Sequence, residues 1–191
     1  MSSCKGIETM ATKTNENELE TELFGRGMSF SVSGTWVAYW LVILRVVAGW
    51  WLLHAGLDKF ANWPFDASWF VGGAAAGTTL GPVVTLFSDG ILLTFTNWAV
   101  PIGQVLIGLG LIVGALTRAA AFFGAFMMTF FYFINGETGG WAHGVVTGEL
   151  LGLLIFAMIA TIGAGRVLGV DEYLMESEIV KNYPRLRYLI G

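Results

Sequence analysis

The sequence predicts an all-α fold: a polytopic membrane four-helix bundle with an outer re-entrant or interfacial loop between its first and second spans. Three observations carry this. The 191 residues are 55% hydrophobic and 13% charged, with a mean hydropathy of +0.67. The charged share is about half that of an ordinary soluble domain. The apolar residues fall into four runs near the ~20 residues that cross ~30 Å of hydrocarbon. Finally, a long stretch after the first run is apolar but broken by glycine, proline and Ser-Asp-Gly, so it can neither span nor act as a simple turn.

Taken in order, residues 1–35 read as a polar, acidic, partly disordered cytoplasmic tail. They contain Glu16, Glu18, Glu20 and Glu22 and no apolar core of a signal peptide. Residues 36–165 read as the four-span membrane domain, and 166–191 as a cytoplasmic C-terminal segment. The acid of both tails, with a net charge of −4, argues against nucleic acid or anionic lipid as their partner. The single cysteine, Cys4, excludes an internal disulfide and a CxxC redox pair.

The expected spans are 36–57, 98–116, 118–134 and 144–162. Lys5, Lys13 and Arg26 precede the first, Arg118 lies between the second and third, and Arg166, Lys181, Arg185 and Arg187 follow the fourth. The positive-inside rule then places both termini in the cytoplasm and the protein in the cell membrane. Trp36, Tyr39 and Trp40 suit the inner interface, and Trp63, Trp69, Trp98 and Trp141 the outer. Gly110-Leu-Ile-Val-Gly114 and Gly148-Glu-Leu-Leu-Gly152 are small-xxx-small pairs that allow close helix approach.

The chemistry is expected from the few polar groups inside the spans, since ionisable residues there are costly and mark function. Arg45, His54, Asp58 and Glu149 are the catalytic candidates; Lys59, Gln104 and His143 are candidates for binding substrate or quinone. At about 100° per residue, Arg45, Gly49, Leu52, Gly56 and Lys59 share one face of the first span. His54 and Asp58, an i, i+4 pair, fall on nearly the opposite face. Arg45 is placed roughly 12–14 Å from the inner end of its span, near mid-membrane. The expectation is that its face turns inward and meets Glu149, with Gln104 as a second partner. That pair reads either as a structural ion pair or as part of a head-group site. Asp58 would raise the proton affinity of His54, and His143 would sit at the start of the fourth span. Two histidines with scattered carboxylates make no recognisable metal site, and no bound cofactor is evident. The aromatic third span (Phe122, Phe123, Phe126, Phe130, Phe131, Tyr132, Phe133) reads as lipid-facing packing that would also suit a flat quinone.

Several segments together resemble the DoxX/DoxD membrane proteins. They are Leu44-Arg-Val-Val-Ala-Gly-Trp-Trp-Leu-Leu-His-Ala-Gly-Leu-Asp-Lys-Phe60, then Trp63-Pro-Phe-Asp66, Val100-Pro-Ile-Gly-Gln-Val-Leu-Ile-Gly108, and Gly114-Ala-Leu-Thr-Arg-Ala-Ala-Ala-Phe-Phe-Gly124. Gly163-Ala-Gly-Arg-Val-Leu-Gly-Val-Asp171 and Tyr183-Pro-Arg-Leu-Arg-Tyr188 complete the set. The resemblance implies a membrane subunit like DoxD of thiosulfate:quinone oxidoreductase, which passes electrons from thiosulfate, forming tetrathionate, to a membrane quinone. It implies membrane lipid and a DoxA-like small subunit or other redox subunits as partners, and is compatible with a homo-oligomer. The alternative is a non-catalytic DoxX-type subunit that anchors or assembles a respiratory or redox complex.

Overall fold

The computed structural model describes residues 18–23, 26–31, 34–183 and 188–190. It has two compact units, 1–37 and 38–191. In the first, strands β1 (Glu18–Leu23) and β2 (Arg26–Ser31) pair antiparallel, with Glu18 opposite Ser31 and Leu23 opposite Arg26. Alternation of polar residues with Leu19, Leu23, Met28 and Phe30 fits a strand period. The tail predicted to be partly disordered therefore holds a hairpin; its first seventeen residues, Cys4 among them, lie outside the described part.

The second unit is all-helical. Among the described residues three helices are long and apolar enough to cross a membrane: α1 (Gly34–Ala61), α3 (Gly90–Val113) and α4 (Thr117–Glu137). A fourth apolar helix, α5 (Gly148–Ile162), has 15 residues, about 22 Å. Between α1 and α3 the chain makes a π-helical turn at Trp69–Ala74, a 3-10 turn at Ala75–Gly77, the four-residue helix α2 (Gly81–Val84), and another 3-10 turn at Thr85–Phe87. This is the expected interrupted loop. Its end differs from expectation: Ile91 to Phe95 belong to α3, which starts eight residues before Trp98. Asp89, extended at the helix N-terminus, and Gly90, with φ of 57°, turn the chain there.

Glycine sets how closely the helices approach. A Cβ on Gly49 would stand 2.8 Å from the Gly108 carbonyl oxygen, and one on Gly108 would stand 2.5 Å from the Leu53 nitrogen. The backbones of α1 and α3 thus touch, which packing without a hydrophobic driving force favours. Gly152 receives the Trp51 ring and joins α5 to α1, and Gly124 receives Phe156 and joins α4 to α5. Leu52, Leu111, Ala121, Phe156 and Ile159 form the buried centre.

α3 ends at Gly114 (φ 74°), whose left-handed backbone lets its N–H reach the Gly110 carbonyl. α4 begins three residues later. After α5 ends at Gly163 (φ 72°), residues 164–169 fold back and lead to α6 (Val170–Glu176) and α7 (Glu178–Asn182). The bundle thus has a turn end, with the α3–α4 turn and the C-terminal segment, and a loop end, with the irregular loop and the α4–α5 connection. Near the turn end the Ala119 N–H donates to the Leu189 carbonyl at 3.2 Å.

Candidate functional site

Arg45 points to the turn end. Its side chain is 1% exposed. One guanidinium nitrogen, Nη1, donates to the Ala164 carbonyl at 2.8 Å and the Val167 carbonyl at 3.1 Å; Nη2 donates to the Leu168 carbonyl at 3.1 Å. Nη1 also crowds Gly114 and Gly169, where a Cβ would meet it at 2.8 and 2.9 Å. Asp171, fully buried, supplies the opposing charge. Its carboxylate accepts from the backbone N–H groups of Leu116 at 2.7 Å and Thr117 at 2.9 Å, capping α4. Arg45 and Asp171 therefore tie α1, the α3–α4 turn and the C-terminal segment into one unit.

This corrects the expected Arg45–Glu149 pair. Arg45 is level with Gly114 and Ala164, where α3 and α5 end. The sixteen steps from Arg45 to Ala61 rise about 24 Å, close to the length of α5, and the rest of α1 extends past the turn. Glu149, in the first turn of α5, accepts from the Asn135 side-chain amide at 3.0 Å near the opposite end. Two groups at opposite ends of a bundle cannot pair.

The expected division of α1 into two faces is what the structure has. Arg45, Gly49, Leu52 and Gly56 are buried, whereas His54 and Asp58 are exposed. The Trp50 and His54 rings lie 6.1 Å apart. The Asp58 carboxylate accepts from the Asn62 amide at 3.1 Å. Gln104 is 3% exposed and its carbonyl oxygen has no hydrogen-bond partner among the described residues. The backbone of His143 closes the 3-10 turn Gly140–His143. These residues do not converge on one site: Arg45 is at one end, Lys59, Glu149 and His143 lie toward the other, and His54 and Asp58 face outward.

What sequence reasoning missed is a cavity of about 1060 Å³ between α3, α4 and the loop. Its walls are Thr96, Val100 and Ile107 from α3, Phe123, Phe130 and Ile134 from α4, and Phe65, Phe70 and Val84 from the loop. Lining positions on α3 run from Phe95 to Ile107, about 18 Å along the helix. Phe95, Leu106, Phe123 and Phe126 line it and are each more than half exposed, so it opens sideways between α3 and α4 where lipid would lie. The lining is apolar except for Lys59, Thr96 and Asn135, which cluster at the loop end. Lys59 Nζ donates to the Ala55 carbonyl at 3.2 Å and stands 5.6 Å from the Phe65 ring centroid. No carboxylate lines the cavity among the described residues.

Polar bonds hold the loop over this space. The Asn97 side-chain oxygen accepts from the Ala67 N–H at 2.8 Å, and Glu137 accepts from the Thr79 N–H at 2.7 Å. Asp66 accepts from the Ser68 N–H at 2.9 Å and the Ser68 hydroxyl at 2.8 Å. Those bonds, the backbone one first, hold the Asp66 carboxyl below the usual range. Ala67, Val71, Ala75, Val84 and Ile134 form a second buried cluster under the loop. The signal that could have found the cavity is the run of seven aromatics on the third span, together with the apolar loop. The signal for the Arg45 site is the glycine spacing of 163–169 just before Asp171.

The described residues hold no cluster of histidine, cysteine and carboxylate groups able to bind a metal ion. Comparison with curated proteins finds no match, and comparison with solved structures finds none. The DoxX family profile matches residues 40–137, over half of the chain, from α1 through the loop to the end of α4. On that match, and with helices of the length and composition just described, the chain belongs to the DoxX family of membrane proteins.

Proposed function

We propose that the chain is the membrane subunit of a thiosulfate:quinone oxidoreductase and that the α3–α4 cavity is where the quinone binds. The observation that supports this most is one cation, with Thr96 and Asn135 as the other polar groups, set in a cavity of apolar lining that opens toward lipid. A quinone has a flat ring, an isoprenoid tail and two carbonyl oxygens. The ring would lie at the loop end against Phe65 and Phe130, with one carbonyl accepting from Lys59. The tail would leave between Leu106 and Phe123. Lys59 favours electron gain because its charge opposes the negative charge that develops on the ring oxygens.

In the net reaction two thiosulfate ions each lose one electron and join through a new sulfur–sulfur bond, giving tetrathionate. The quinone takes up those two electrons and two protons to become the quinol. A DoxA-like small subunit would complete the donor side, and both termini would be cytoplasmic, so that the loop end faces outward. A non-catalytic subunit that holds quinone for a neighbouring redox protein is the second reading. It is favoured by one observation: the polar residues expected to act on or bind substrate are dispersed over the bundle.

The test is binding of a short-chain ubiquinone analogue to the purified chain in nanodiscs, followed by quenching of tryptophan fluorescence. Lys59→Met should weaken binding about tenfold, as loss of a charged hydrogen bond does. Ile107→Phe, which fills the cavity, should weaken it further. Unchanged affinity in both variants would remove the cavity from the account. Thiosulfate-dependent quinone reduction in membranes containing the small subunit then separates the catalytic from the non-catalytic reading.

A further inference from the structure

Reduction of a quinone consumes protons, and among the described residues the cavity lining has no carboxyl group to supply them. Several carboxylates stand toward the loop end, and their hydrogen bonds tell them apart. Asp58 accepts from the Asn62 amide, Asp66 from Ser68, and Glu137 from the Thr79 N–H. Asn62, Ser68 and Thr79 all lie outside the lining. Asp58 also acts by charge on Lys59, its neighbour in the chain, but it faces outward with His54. Asp89 precedes α3 and makes no side-chain cap bond. Glu149 differs from all of these. Its Oε1 accepts from the Asn135 side-chain amide at 3.0 Å, and Asn135 is a lining residue at the same end as Lys59. The dipole of α5 favours an acid in its first turn. That accounts for Glu149 in the helix but not for its bond to a residue of the cavity. Glu149 is also only partly buried, so it meets water at the loop end.

We propose that Glu149 delivers the protons that turn the bound quinone into quinol, with Asn135 positioning its carboxyl at the rim of the cavity. The role rests on the quinone site proposed above. Two electrons reach the ring from thiosulfate, and the two ring oxygens take one proton each. Glu149 gives up a proton toward the ring, stays behind as a carboxylate, and takes another from water at the loop end before the second transfer. One side chain, Asn135, separates the carboxyl from the cavity, a gap that a single water held by its amide bridges. Lys59 has the complementary part: it holds one ring oxygen and steadies the negative charge there until a proton arrives. Charge and proton thus come from different groups, on α1 and α5, and the loss of each has its own signature. Without Lys59 the quinone binds more weakly. Without Glu149 it binds and turns over slowly.

Glu149→Gln separates the two, because its amide oxygen still accepts from Asn135 while it carries no transferable proton. Thiosulfate-dependent reduction of a short-chain ubiquinone analogue, in membranes containing the small subunit, should fall about hundredfold, as loss of a general acid does. Affinity for the same analogue in nanodiscs should stay that of the wild type. Glu149→Asp should keep much of the rate. Formate, a small carboxylic acid, should restore rate to Glu149→Ala in proportion to its concentration, which a merely structural Glu149 does not predict. A wild-type rate in Glu149→Gln overturns the proposal and leaves the quinone site standing. So does a lost rate in Glu149→Ala that formate leaves unchanged while quinone still binds. A wild-type chain that binds no quinone, or binds it and reduces none, overturns the parent reading and the proposal with it.

Discussion

Arg45 shows how little a residue type says before its partners are known. A cation within an apolar run is costly, and the cost is met here by three carbonyl groups and by Asp171. Arg45→Ala would remove the buried cation beside Asp171 and its three hydrogen bonds to carbonyl groups, so it should destabilise the bundle by about 3–5 kcal/mol, as loss of a buried charged partner does. Asp171→Ala should cost a similar amount, and the double variant less than the sum, because the two act on one network. Unfolding in mixed detergent micelles measures all three. Glu149→Gln should change stability by less than about 1 kcal/mol, since an amide oxygen can still accept from Asn135. Cationic Arg45 and the inward face of its helix were legible from spacing alone. Its partner was not, because Asp171 reads locally as one more acid in an acidic tail. Only the chain reversal at Gly163 and the turn at Gly169 bring it back to α1.

Among the elements, α1 and α3 are held by glycine, and the loop by a few polar bonds. Gly108→Ala pushes a methyl group into the backbone of Leu53, with no flexible side chain able to give way, and should cost about 1–3 kcal/mol. Gly103→Ala is the contrasting case. Its nearest neighbour is the end of the Met127 side chain at 3.6 Å, so the same change should be tolerated in the same unfolding assay. At the loop, the Asp66 carboxyl is held below its ordinary range by Ser68. Its support for the turn is therefore fully present above the unfolded carboxyl range and is lost as pH falls through the lowered folded value. Hydrogen exchange at the Ser68 amide should accelerate relative to its intrinsic rate over that acidic window in the native chain and not in Asp66→Asn.

The existence of the spans was readable because hydropathy responds to composition over about twenty residues. The boundaries were less so. Ile91 to Phe95 read as a separate fragment because Ser-Asp-Gly precedes them, yet those residues are the cap that starts α3. The aromatic wall of the cavity was readable in the third span, but its volume was not, since it is made where the apolar loop, α3 and α4 fail to fill the space between them. No local pattern reports such a void.

At the scale of the whole molecule, the two ends of the bundle have different roles. The turn end is closed by the Arg45–Asp171 network and its glycine contacts. The loop end is open toward lipid on one side, roofed by an irregular segment and supplied with one cation. Rigidity at one end and a roomy apolar recess at the other suit a protein that holds a membrane-soluble molecule in place while a partner reaches its head group. The central claim is where that molecule sits. A short-chain azidoquinone, activated by light in membranes and mapped by mass spectrometry, tests it most directly. Labelling should fall on peptides carrying Phe65–Phe70 and Phe130–Asn135, compete with excess quinone, and drop about tenfold in Lys59→Met. Saturable labelling confined to α1 outside Lys59, or none that quinone displaces, would contradict the assignment.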